Sequence, residues 1–256
     1  MVPGAITLTT DWNWSSVFMG NIREYWLQNK IMYLLQELTH QIPPFNTVYA
    51  AYTVKASYNG FPQNSVHIIG VSPWIGSKNP RVLLVRYENH WFIGYECAPF
   101  YSIFDQPSIE IWELPFFNVA FPELELMIKP AIQLLSTGNP ETVGKFITNP
   151  VLSSVLPEKA DNLMYLSILY IDVYGNIVTN CTKQQFYEFV GDRKFEIMVG
   201  RPKYIIRKIS DGYDRKPGDL FALFNAMDYL EIGIINYRLD ISFGINPQTK
   251  INIKIV

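Results

Sequence analysis

Apolar and polar positions alternate along Ile6-Thr7-Leu8-Thr9-Thr10, and the alternation stops at Asp11. That pattern predicts a buried strand whose carboxyl end carries a carboxylate, followed by a helix that Ser15-Ser16 can cap. Mixed helical spacing of Val17, Met19, Ile22, Tyr25 and Trp26 predicts a helix ending at Asn29-Lys30. The apolar run Ile31 to Leu38 predicts a second buried strand. Pro43-Pro44 marks the next stretch as a loop, since two prolines in series give a ladder no donors. Asn46 or Thr47 can then cap a helix bearing Ala50, Ala51, Val54 and Ala56. Strands are predicted at Ser65 to Val71, Val82 to Tyr87, Trp91 to Tyr95 and Ser108 to Leu114. A helix over Glu123 to Ser136 should kink or break at Pro130. Strands alternating with helices predict a three-layer α/β domain with a mainly parallel sheet.

Beyond Asn149-Pro150 the pattern shortens. Ser153 to Asn162 is a polar connector, and the remainder of the chain is short strands with turn signals. Strands are predicted at Leu166 to Asp172, Ile177 to Asn180, Phe195 to Val199, Tyr204 to Lys208, Leu220 to Phe224, Tyr229 to Ile234 and Ile251 to Val256. Short helices are predicted at Gln184 to Val190 and Tyr237 to Phe243. A small β-barrel or sandwich fits this second half. The division is α/β over 1–156 and β-barrel over 157–256.

Composition narrows the function. With 256 residues, 48% of them hydrophobic, the chain can bury one large core or two modest ones. A net charge of −2 supplies no basic surface for phosphates, so nucleic acid is not an expected partner. Cys97 and Cys181 stand far apart, and His40, His67 and His90 form no ligand cluster. No metal or cofactor is therefore expected. The N-terminus has no basic and apolar leader pattern, and no apolar run approaches the roughly 20 residues of a bilayer span. A soluble cytoplasmic protein without membrane partners is the expectation.

Two groups of polar residues could carry chemistry. Asp11 lies where open α/β sheets bind ligands, and its two acceptor oxygens suit a ribose diol; it could equally cap the turn. Asp172 and Asn176 bracket Val173-Tyr174-Gly175, whose glycine lets the chain reverse tightly. An amide can read a purine edge and Tyr174 could stack on the ring, although Asp and Asn are also common hairpin residues.

Taken together, Thr9-Thr10-Asp11, Leu38-Thr39-His40-Gln41-Ile42-Pro43-Pro44, Ser65-Val66-His67-Ile68 and Tyr170 to Asn180 resemble, in order, the motifs of the S-adenosylmethionine hydrolases (SAM hydroxide adenosyltransferases) related to the fluorinase and chlorinase. Tyr229-Leu230-Glu231-Ile232 is similar to the family's last motif. The resemblance implies an N-terminal α/β domain, a C-terminal β-barrel and a homotrimer with sites between neighbouring subunits. It also implies cleavage of the sulfonium–C5′ bond of S-adenosylmethionine by water, giving adenosine and methionine. By position, Asp11 would hold the ribose diol, Phe45 would flank the sugar, Tyr174 would lie at the adenine, Asn176 would read its edge and Asp172 would face the amino group of the substrate. His40 is a loop hydrogen-bonder on this reading.

The chain departs from the family at the residues implied to activate water. Ser72 stands at the Asp position and Asn79 at the Arg position, with Arg81 two residues further on. The segment Pro122-Glu123-Leu124-Glu125-Leu126 replaces the one with the family's His, so Glu123 falls near that place. Tyr95-Glu96-Cys97-Ala98 replaces a Pro-Asp-Asn-Gly loop. Ala226-Met227 replaces a serine and basic residue facing the methionine carboxylate. Losing a positioned base lowers a rate by about 10²–10⁴. The expectation is thus an adenosyl-binding protein with weak hydrolysis, or else an inactive nucleoside-binding or structural homologue. Glu123 or Glu125 acting as base on a different substrate is a further possibility, although a helix start favours Glu for its dipole alone.

Overall fold

The computed structural model describes residues 4–13, 16–72, 80–104, 109–148, 155–200 and 204–256. Two compact units, Met1–Ser154 and Val155–Val256, make up the chain. Ser15, Asn79 and Ser108, on which a cap, a site position and a strand start were expected, lie outside the described residues.

In the first unit the elements run β1 (Ile6–Thr10), α1 (Ser16–Gln28), β2 (Leu35–Thr39), α2 (Thr47–Ser57), β3 (Val66–Gly70), β4 (Val82–Tyr87), β5 (His90–Tyr95), α3 (Ala98–Tyr101), β6 (Glu110–Leu114), a π-helical turn (Glu123–Ile128), α4 (Lys129–Thr137) and β7 (Lys145–Phe146). One seven-stranded sheet runs β2-β1-β3-β5-β4-β6-β7. β1 pairs in parallel with β2 and β3, and β3 with β5, whereas β4, β6 and β7 add antiparallel pairs. The sheet is therefore mixed, not mainly parallel. The reason is local: Glu88 and Asn89, both left-handed (φ 46° and 63°), form a two-residue turn that joins β4 to β5 as a hairpin. A parallel connection needs a dozen or more residues.

Alternate strand residues feed two cores. Val82 and Leu84 join Ile6, Leu8 and Met127, while Leu83 and Val85 join Ala51, Val54 and Phe100. Pro130 does mark a change: the π-helical turn gives way at Lys129 to α4, which carries the proline in its first turn, where a missing N–H is harmless. β2 is shorter than the apolar run that predicted it, because Met32 and Leu34 face solvent at the sheet edge. As the four parallel strands point one way, Thr10, Thr39, Gly70 and Tyr95 end them along one edge, with Thr10 opposite Gly70 and Ile69 opposite Gly94.

A buried histidine pair lies toward the other ends of these strands. His67, wholly buried, has Nδ1 2.9 Å from Thr7 Oγ1 and Nε2 3.1 Å from His90 Nδ1, with Tyr58 and Phe92 rings around it. Burial first, then His90, pushes its pKa down to about 3. In the folded chain His67 is thus neutral where the unfolded chain takes up a proton. Its contribution is complete above the ordinary value near 6.5 and is lost as pH falls toward 3, at about 1.4 kcal/mol per pH unit. Urea midpoints measured from pH 7 to pH 5 should fall, and a His67→Leu variant should show a slope shallower by about one proton. Parallel slopes would exclude His67 as the source.

The second unit contains β8 (Glu158–Ala160), β9 (Leu163–Leu166), β10 (Ile168–Ile171), β11 (Ile177–Thr182), α5 (Lys183–Val190), β12 (Phe195–Val199), β13 (Ile205–Ile206), β14 (Leu220–Phe224), β15 (Tyr229–Ile234), α6 (Leu239–Phe243) and β16 (Ile251–Ile255). β8 falls inside the expected connector. The pairings form two antiparallel sheets, β10-β11-β15-β14 and β13-β12-β16-β9-β8, and no closed ring among the described residues. Both sheets feed one core, in which Ile177, Ala222 and Ile232 of the first sheet join Met164, Ile197 and Ile253 of the second. Thr182 and Gln185 cap α5 reciprocally in a capping box.

Candidate functional site

The first unit gathers polar groups at the carboxyl edge of its parallel strands. Asp11 follows β1, and its Oδ2 accepts the Phe45 N–H at 2.9 Å. Phe45 is left-handed (φ 62°), a strained state for an aromatic residue, and its ring is half-exposed. The Asp11 carboxylate thus pins the entry to α2, where Asn46 Oδ1 caps Tyr49 N–H at 3.0 Å. Asp11 and Phe45 are brought together, with the carboxylate serving the loop. His40, in the loop after β2, has Nδ1 2.6 Å from Thr10 Oγ1 and Nε2 3.2 Å from Glu37 Oε2, and its ring stacks on Trp12. It is a buried hydrogen-bonding residue of that loop.

Glu123 opens the π-helical turn and is only partly exposed, unlike a residue placed at a helix start for its dipole. Its Cγ lies 3.0 Å from where a side chain on Gly70 would begin. Burial first, then the Asp11 charge, raises its carboxyl pKa, while its own amide offsets part of the shift. Tyr95 at the end of β5 is raised too, by burial and then by Glu123 and Asp11. Ser72 lies just beyond β3, half-buried. Asn79, Trp74 and Ile75 lie outside the described residues. Arg81 is held elsewhere: Nη1 meets Glu96 Oε2 at 2.8 Å and Nη2 meets Glu113 Oε2 at 3.0 Å.

The second unit carries a cleft of about 640 Å³, lined among others by Asp172, Tyr174, Asn176, Tyr213, Phe221 and Glu231. Its wall is the β10–β11 turn. Asp172 Oδ1 accepts from Tyr174 N–H at 2.9 Å and Asn176 N–H at 2.8 Å, and Oδ2 accepts from Asn176 Nδ2 at 3.0 Å. Asp172 is thus the hub of its own turn. Gly175 (φ 79°) is obligatory there, because a side chain would strike Asp240 and Arg238. With Nδ2 committed, Asn176 directs Oδ1 over Gly233, where a Cβ would collide with it. Tyr174 is 73% exposed, its ring open to a partner or ligand.

Two further residues, to which the sequence assigns no site role, line this cleft. Glu231 is 7% exposed on β15, and its Oε1 accepts the Tyr213 hydroxyl at 2.8 Å. Burial raises its carboxyl pKa, against the effect of that bond. Tyr213, from the loop before β14, packs edge-on against Phe221. A lone Glu in the apolar run Leu230 to Ile235 was a usable signal, whereas nothing marked the loop tyrosine. The cleft combines flat aromatic surface with an amide acceptor, which suits a heteroaromatic ring bearing an amino group.

The family model of the SAM hydroxide adenosyltransferase N-terminal domain matches residues 6–144, and that of the C-terminal domain matches residues 166–252. The chain belongs to the SAM hydroxide adenosyltransferase family. A relative from Methanocaldococcus jannaschii, an (R)-S-adenosyl-L-methionine hydrolase, is 24% identical over 242 residues, covering 89% of this chain and 87% of the relative. The fold is shared with an uncharacterised conserved protein from Thermotoga maritima (TM-score 0.79, 19% identity, 97% of this chain and 99% of that one). It is also shared with a conserved hypothetical protein from Thermus thermophilus (TM-score 0.76, 16% identity, 99% and 100%). The departures expected from the sequence fall at Ser72, Glu123 and Ala226-Met227. In the last of these, Asn225 Oδ1 accepts from Met227 N–H at 3.0 Å and from Tyr229 N–H at 3.2 Å, shaping a turn with apolar side chains.

Proposed function

We propose that this protein binds the adenosyl group of S-adenosylmethionine and hydrolyses its sulfonium–C5′ bond, giving adenosine and methionine. The observation that carries the reading is the cleft around Asn176. An amide whose donor is locked on Asp172 presents an acceptor, suited to the exocyclic amino group of adenine. Tyr174 stacks beside the base, Asp11 holds the ribose diol and Phe45 flanks the sugar. Asp172 acts mainly through the turn. The domains are a three-layer α/β unit over 1–156 and a barrel-like unit over 157–256, assembled as a cytoplasmic homotrimer that completes each site with a neighbouring subunit. No cofactor is needed beyond the substrate. A second reading, adenosine binding without turnover, is favoured by Ser72 and Ala226-Met227 and is separated by the same assay.

Calorimetry with adenosine should give a saturable isotherm that Asn176→Ala weakens at least tenfold, in line with a lost hydrogen bond of about 1.5 kcal/mol. Chromatography of S-adenosylmethionine incubations should show adenosine and methionine above an Asp11→Ala control. Binding without product selects the second reading; no binding at millimolar adenosine sinks both. Light scattering tests the trimer.

A further inference from the structure

We propose that Glu123 accepts the proton of the attacking water in this protein, a role that rests on the adenosyl-hydrolysis reading above. The backbone places it for that. Leu126, Met127 and Ile128 of its π-helical turn are buried against the sheet, so the turn is fixed and its first residue meets the strand ends. Gly70, the last residue of β3, leaves a notch that the Glu123 Cγ fills, and the Thr10 methyl lies 3.1 Å from the same point. Register sets Thr10 beside Gly70 and Ile69 beside Gly94, so Asp11, Gly70 and Tyr95 follow one another along the edge, with Glu123 laid across them.

Among the described residues of this unit, the histidines, Glu96 and Tyr95 are committed elsewhere. Both nitrogens of His40 are hydrogen-bonded, and His67 and His90 are paired toward the opposite ends of the strands. Glu96 is tied to Arg81 and to the Tyr101 hydroxyl at 2.7 Å. Tyr95 keeps its proton, since burial, Glu123 and Asp11 all oppose its ionisation. Burial and the Asp11 charge bring Glu123 closer to neutral proton affinity, which suits a general base. The step balances simply. Water oxygen bonds to C5′, and the C5′–S bond breaks with its electron pair passing to sulfur. Methionine leaves as a neutral thioether, and the water proton passes to the Glu123 carboxylate and then to solvent.

The test uses the full chain. Glu123→Gln should leave adenosine affinity within about threefold by calorimetry yet lower kcat for S-adenosylmethionine by about 10²–10⁴, and the acidic limb of the pH–rate profile should disappear. Glu123→Ala should regain part of its rate with added formate. Retention of kcat within fivefold in Glu123→Gln overturns the proposal, and so does a wild-type chain that binds adenosine but releases no methionine. A wild-type chain that binds no adenosine overturns the nucleoside reading itself, and the proposal with it.

Discussion

Asp172→Asn is expected to reverse the base preference of the second-unit cleft, weakening adenosine by at least tenfold and strengthening inosine. The Asp172 carboxylate accepts three hydrogen bonds, two from the turn backbone and one from the Asn176 amide. An asparagine can keep the two backbone bonds with its carbonyl oxygen, so the turn survives. Its own amide nitrogen then faces the Asn176 nitrogen, and two donors cannot pair. Asn176 relieves this by rotating, which directs its NH₂ at the ligand. An exocyclic amino group then meets a donor, while the 6-carbonyl of inosine meets a partner. Sites built to hydrogen-bond one group discriminate strongly against its opposite, because the mismatch leaves a buried polar group unpaired. Competitive calorimetry with both nucleosides reads the ratio. An unchanged preference would mean that the Asn176 amide does not read the base. Asp172→Ala serves as the contrast, since it removes all three bonds and should abolish binding of both.

The fold and the site were legible to different depths. β1 and its terminal Asp11 could be read because alternation ends abruptly at a carboxylate, and the structure places that carboxylate at the sheet edge. The β10–β11 reversal could be read because Gly175 admits a conformation other residues resist. The mixed sheet is legible in one detail: two strands separated by Glu88-Asn89 alone must be antiparallel, however strongly the wider rhythm of strand and helix suggests crossovers. The apolar run Ile31 to Leu38 overstates β2 because such a run does not reveal whether it faces core or solvent, and Met32 is 90% exposed. α3 was missed because Pro99 in its first turn reads equally as a loop. Glu123 was the hardest case. Its sequence context explains it as a dipole-compensating residue, and its burial depends on the missing side chain of Gly70, some fifty positions away. Tyr213 and Glu231 illustrate the same limit, since their hydrogen bond joins a loop to a strand eighteen residues on.

Gly233→Ala is expected to empty the same cleft by filling it with a single methyl group. Gly233 sits on β15 opposite Phe221 of β14, and a Cβ there would overlap both the Asn176 Oδ1 and the Phe221 ring. Neither neighbour can yield easily. Asn176 is held through Asp172, and Phe221 is 1% exposed with Tyr213 packed edge-on against it. Overpacking a well-filled interior costs about 1–3 kcal/mol, so thermal unfolding should fall by roughly 3–10 °C while the chain remains folded at 25 °C. Adenosine affinity should fall much further, by about 10² or more, because the shift displaces the amide acceptor and the aromatic floor together. The comparison with an alanine at the exposed Gly60 separates the two effects, since nothing lies within 4 Å of a Cβ there. If Gly233→Ala binds adenosine as tightly as the Gly60 control while losing the same stability as expected, the nucleoside does not enter the space between Asn176 and Phe221. The base would then have to be held by groups elsewhere on the chain.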